Sequence, residues 1–276
     1  MPASAAETFS QLAATPDERI DLAHAALSIA EVAEPHLDRE LCLRQLDALA
    51  AAAGNHLRAE ATEAGQVEAL MRWLHDEQGF RGNDVDYYDP RNSFLNQVLA
   101  RRTGIPITLA LVYIEVGKRL GITLAGVNFP GHFLVRLVAP GPEIVIDPFG
   151  GRILSEEDCA GLLRSVMGPS AVLEPALMRP VPAKSMLRRM LTNLKLIYLR
   201  LGQLSEALAC MDRILLLAPE EPQELRDRGL LHYHLDRYAE ARADLERFLA
   251  LMPQHPGADA VQPYLERARQ RMSRLN

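Results

Sequence analysis

Ala207 and Ala241 stand 34 residues apart, and five further pairs keep that separation: Ile197 with Leu231, Leu191 with Leu225, Leu201 with Leu235, Leu204 with Tyr238, and Pro219 with Pro253. A fixed period of this length constrains the C-terminal third of the chain to stacked helical units. A small residue at a matched position suits two helices that cross closely, because a larger side chain would push their axes apart. A proline at the end of each unit stops the helix before it. The units are expected at 188–221 and 222–255, with Asp259–Arg274 as a capping helix. About three such units are usually needed for independent stability. A module of two is therefore expected to lean on the rest of the chain, which would cover part of its groove.

This period, with its small residues and closing prolines, is the tetratricopeptide signature; the alternative is a generic pair of amphipathic hairpins. Upstream the pattern differs. Residues 18–78 carry apolar residues three and four apart (Ile20, Ala23, Leu27; then Leu41, Leu46, Leu49), which predicts helices. Phe80–Arg91 is rich in Gly, Asn, Asp and Pro and reads as a loop. Pro106 stands where a first helical position should be, and a helix is expected from there to Leu120. Thr123–Phe129, His132–Val138 and Glu143–Ile146 are short and rich in β-branched residues, so strands are expected, with a turn at 139–142. Ser155–Met167 returns to helix. The predicted organisation is α+β: a helical region over 1–79, a mixed core over 80–174, a linker over 175–187 and the all-α module over 188–276.

Charge narrows the function. Residues 1–183 carry 15 basic against 24 acidic side chains, and residues 184–276 carry 15 against 12. An acidic first part argues against sequence-independent nucleic-acid binding, which needs a basic surface. Cys42, Cys159 and Cys210 are widely spaced and form neither a disulfide framework nor a zinc pattern. The N-terminus lacks a basic start with an apolar core, and the most apolar stretch, Ile105–Ile114, is too short to span a membrane. The expectation is a cytoplasmic protein with no cofactor, metal or membrane partner.

His132 and Asp147 are the leading chemical pair. A hairpin turning at APGP has its midpoint at 139.5, which would set them nearly opposite on adjacent strands. A carboxylate beside an imidazole fixes its tautomer and raises its basicity; the bland reading is a structural His and a turn Asp. Asn92, Arg101 and Arg102 suit a carboxylate or phosphate, or are solvated helix ends. Tyr87 and Tyr88 beside Asp86 and Asp89 form either a binding lip or loop anchors. His232 and His234 are two apart on a helix and make a poor metal pair.

The runs YYDPRNSFLNQVLARRTGIPITLALVY, GVNFPGHFLVR and IDPFGG resemble the core of the transglutaminase-like superfamily. With RDRGLLHYHL downstream, the chain resembles the bacterial SirB proteins of the SirB-one type, which join such a core to tetratricopeptide repeats. The resemblance implies a Cys nucleophile at a helix N-terminus, then a His and an Asp on successive strands. His132 and Asp147 match the second and third members. The Cys position falls at about Pro106, which cannot attack a carbonyl, and none of the three cysteines lies there. Thr108 and Ser93 are the hydroxyl candidates, with a first-turn residue and an N-cap as their bland readings. The expected function is a non-catalytic interaction protein with a protein or peptide partner, a pseudoenzyme whose cleft, with His132, Asp147, Asn92, Arg101, Thr108 and Phe129 as candidate residues, binds a peptide or small ligand or simply holds structure. The alternative is a hydrolase or acyltransferase using His132 and Asp147 with a non-Cys nucleophile.

Overall fold

The computed structural model describes residues 5–141 and 143–275. The architecture is α+β, and the chain divides into two compact units, Met1–Met190 and Leu191–Asn276.

The first unit opens with helices α1 (Ala5–Ala14), α2 (Leu22–Ala30), α3 (Arg39–Leu57) and α4 (Glu63–Arg72). Asp21, Asp38 and Thr62 start the last three, each accepting from the amide three residues on. These bonds satisfy amides that a helix start leaves without partners. α4 runs into a π-helical turn, Trp73–Glu77. Next come β1 (Arg81–Gly82), α5 (Leu95–Arg101), β2 (Thr103–Gly104) and α6 (Pro106–Arg119). β1 and β2 pair in parallel, Arg81 opposite Thr103. Within the segment expected to be a loop, Arg81 and Gly82 are thus held by backbone bonds.

α6 is the centre of this unit. Every residue from Pro106 to Gly117 is buried, as expected of a helix that is apolar on all sides. Its one buried carboxylate, Glu115, accepts from Arg119 one turn on, at 2.6 Å. Strands β3 (Leu124–Val127), β4 (Leu134–Leu137), β5 (Val145–Asp147) and β6 (Arg152–Leu154) form an antiparallel sheet in chain order. β6 was not anticipated from the sequence, because three residues following a Gly-Gly turn carry too little pattern. Val127, Leu134, Val145 and Leu154 from the sheet pack with Cys159 and Leu163 of α7 (Glu156–Met167).

The stretch expected to be a linker holds a 3-10 turn at Pro175–Met178 and the start of α8 (Ala183–Arg200). The first amides of α8, Ala183 and Lys184, donate to the Asp17 carboxylate at 2.8 Å each. The division between units falls within α8.

The second unit continues with α9 (Leu204–Leu217), α10 (Pro222–His234), α11 (Tyr238–Leu251) and α12 (Ala258–Leu275). Ala207 and Ala241, the matched small residues, are fully buried. Leu215, Leu225, Leu245, Phe248, Val261 and Leu265 form its core. Among the described residues no helix is long and apolar enough to cross a membrane, and no cluster of His, Cys, Asp and Glu has the makings of a metal site.

Candidate functional site

Asp147 ends β5, and the turn after it folds back on its side chain. Asp147 Oδ1 accepts from the amides of Phe149 at 3.0 Å and Gly150 at 3.1 Å. His132 Nε2 lies 3.2 Å from the same oxygen. Gly131, at φ +69°, makes the turn that brings His132 to the start of β4. The register differs from the simple hairpin count. Val135 pairs with Ile146 and Arg136 with Val145, so Asp147 falls opposite Leu134. His132 therefore reaches Asp147 on the diagonal, a span that long side chains cover.

The second imidazole nitrogen is also occupied. His132 Nδ1 accepts from the Phe133 amide at 3.0 Å. An amide can only donate, so Nδ1 is the acceptor and the ring proton sits on Nε2, facing the carboxylate. Burial pushes the Asp147 carboxyl up, but the His132 hydrogen bond and the two turn amides outweigh it. The net result is a carboxyl held below its usual range. Asp147 is thus an anion at neutral pH.

Aromatic rings extend from this pair. Phe149 meets His132 edge-on with centroids 6.0 Å apart, and Tyr87 lies 6.2 Å beyond it. Tyr88 stacks edge-on against Tyr87 at 5.4 Å. Phe149 closes down on Gly82, where an added Cβ would lie 2.4 Å from the ring. Gly82 N also donates to Phe149 O at 3.1 Å. Only glycine admits this approach. Tyr113 of α6 is fully buried, its hydroxyl has no partner, and burial with the nearby Asp147 and Asp76 charges pushes its pKa up.

Other sequence candidates lie in the fabric around this pair. Asn92 is fully buried and ties the loop together: its Nδ2 donates to Asp86 O at 2.7 Å, and its Oδ1 accepts from Asn83 Nδ2 at 3.1 Å and Arg101 at 3.4 Å. Arg101 also pairs with Asp89 at 3.3 Å. Thr108 Oγ1 donates to Asn92 O at 2.6 Å and accepts from the Ile105 amide at 3.2 Å, in the first turn of α6. Ser93 is buried with a partnerless hydroxyl, and the N-cap of α5 is Phe94 instead. Phe129 is fully buried in the apolar cluster under α7. His232 is buried and His234 exposed, on different faces of α10.

Pro106 occupies the first position of α6, between buried Ile105 and Ile107. All three cysteines are free and buried. Burial raises the thiol pKa of Cys42 and Cys159, and that of Cys210 is pushed up to about 12. Such thiols stay protonated and inert.

Tyr113 and the contact of Gly82 with Phe149 escaped the sequence reading. Tyr113 looks like one more apolar-face residue at helical spacing, and Gly82 like one more loop glycine. Its neighbour Phe149, in the quoted IDPFGG, is the available hint that a backbone must approach there.

A model of the transglutaminase-like superfamily matches residues 40–192, and a tetratricopeptide repeat model matches residues 194–266. A UPF0162 protein of Xylella fastidiosa (strain Temecula1) is 43% identical over 232 residues, which is 81% of each chain. A UPF0162 protein of Vibrio cholerae is 34% identical over 216 residues, 78% of this chain and 80% of that one. F-box only protein 21 of Mus musculus is 39% identical over 138 residues, 46% of this chain and 21% of that protein.

Proposed function

We infer, for a chain that belongs to the transglutaminase-like superfamily and carries tetratricopeptide repeats, that its superfamily scaffold serves recognition rather than catalysis. Pro106 carries this reading. It stands at the start of α6, where the resemblance puts the nucleophilic thiol, and its ring offers no S–H or O–H to deprotonate. The imidazole supports the same reading. A base must present a nitrogen to the nucleophile, and both nitrogens of His132 are engaged within the chain. The bonds of Thr108 to Asn92 and Ile105 argue for helix capping rather than attack. The long matches to UPF0162 proteins of Xylella fastidiosa and Vibrio cholerae support a bacterial setting; a place among the SirB-one type proteins and in the cytoplasm belongs to the same reading and rests on the sequence motifs and composition. The partner class is a protein or peptide, held near the His132–Asp147 pair, with the repeats as a second surface.

Purified protein is expected to give no amidase, esterase, peptidase or acyl-transfer turnover above the uncatalysed rate. Turnover that His132→Ala abolishes in a folded variant would overturn the reading. Affinity capture from native cytosol tests the binding half. A partner retained by the parent chain and lost from a folded His132→Ala, Asp147→Asn variant supports recognition at this pair. An identical set from both makes the pair structural.

A further inference from the structure

Arg102 ends α5 in the left-handed region, at φ 60° and ψ 17°. That conformation strains a non-glycine residue by crowding its Cβ, and helices that end this way usually do so on Gly or Asn. A second cost falls on its side chain. Arg102 Nη1 is buried and has no hydrogen-bond partner. Its neighbour Arg101 is engaged by Asp89 and Asn92, whereas no described carboxylate pairs with Arg102. The guanidinium lies over the Phe80 ring, 4.5 Å from its centroid. Burial alone pushes its pKa down.

Beside it is a hollow of about 250 Å3, lined by Gln45, Ala48, Leu49, Ala52, Gln78 and Arg102. Gln45 and Gln78 are half-buried residues, and no described residue hydrogen-bonds their carboxamides. Each offers two donors, and the guanidinium offers a planar fork that matches a carboxylate edge. Ala48, Leu49 and Ala52 of α3 supply an apolar wall. A cation, two amides and a small apolar wall together describe a carboxylate on a short hydrocarbon body. A bare phosphate would use the cation and leave the wall without a partner.

We propose that the Arg102 hollow binds a small organic carboxylate, its oxygens on the guanidinium and the two carboxamides and its body against α3. The strained backbone and the unpaired cation are then the cost of a prepared site. The proposal is independent of any role for His132 and Asp147.

The test is an NMR titration of the isotope-labelled full chain with isobutyrate, acetate and inorganic phosphate at matched ionic strength. Isobutyrate should give saturable shifts at the amides of Ala48, Gln78 and Arg102, with affinity at least about tenfold above that of phosphate, because only it fills the apolar wall. Arg102→Gly, which suits the left-handed backbone and should fold, is expected to lose the response. Gln45→Glu places a carboxylate beside Arg102 and should block isobutyrate while the chain stays folded. Saturation retained in Arg102→Gly, phosphate binding as tightly as isobutyrate, or no saturable shift with isobutyrate would each overturn the proposal.

Discussion

His132–Asp147 in the first unit and Lys195–Glu224 in the second are both buried acid–base pairs, yet they are held by different means. Asp147 gathers donors from its own turn: two backbone amides and one imidazole on a single oxygen, with Arg152 Nε 3.8 Å from the other. Glu224 of α10 depends on Lys195 of α8. Its second oxygen is buried without a partner, while Lys195 also lies 3.6 Å from Asp227. The first carboxylate is solvated by local backbone, so its charge would survive loss of the imidazole. The second is neutralised only from another helix. Local solvation is what allows a loop to present an imidazole, whereas the cross-helix pair pins one repeat helix to the next.

That contrast is broken most forcefully at Lys195. Lys195→Met strands a buried carboxylate and should destabilise the second unit by about 3–5 kcal/mol in urea unfolding. The double variant Lys195→Met, Glu224→Leu should recover most of that loss. A single-variant cost under about 1 kcal/mol would mean that the pair is solvated after all. Next in size is Asp147→Ala, which removes the acceptor from two amides and an imidazole and should cost about 2–3 kcal/mol. Asp147→Asn keeps an acceptor oxygen and should cost less than half as much.

The same pair has a signature in pH. The Asp147 carboxyl is lowered in the fold, so the unfolded chain takes up its proton first as pH falls. Its contribution is complete above the unfolded value of about 4 and is lost as pH falls through the lower folded value. The stability gap between parent and Asp147→Asn should therefore close in acid. Ala207→Leu and Ala241→Leu should each cost about 1–3 kcal/mol, read as a lower melting temperature, because both positions are fully buried. The smallest effect belongs to His232. Burial lowers its pKa from 6.5. The unfolded chain therefore takes up this proton first, and the second unit should lose a little stability as pH falls below that value. His232→Gln should flatten this slope.

Legibility followed the range of the interactions. The start of α6 was readable because a proline at a first helical position is a local signal, and the helix runs Pro106–Arg119. The contact of His132 with Asp147 was readable because two strands joined by a short turn have few possible registers. The register departs from the hairpin count: pairing centres one residue later, and the side chains meet diagonally. β1 and β2 could not be read, since each is two residues long and they pair across 22 positions. Arg102 was visible as a charge, but its lack of a partner emerges only once Arg101 and Asp89 are seen together.

α6 has a consequence in time. The stretch from Pro106 to Gly117 is buried throughout, so of α6 only the last turn, at Lys118 and Arg119, can fray into solvent. Its amides should exchange with deuterium only when the whole first unit opens, so their uptake serves as the clock for that event. The π-helical turn and the exposed loop tip at Val85 should equilibrate long before it.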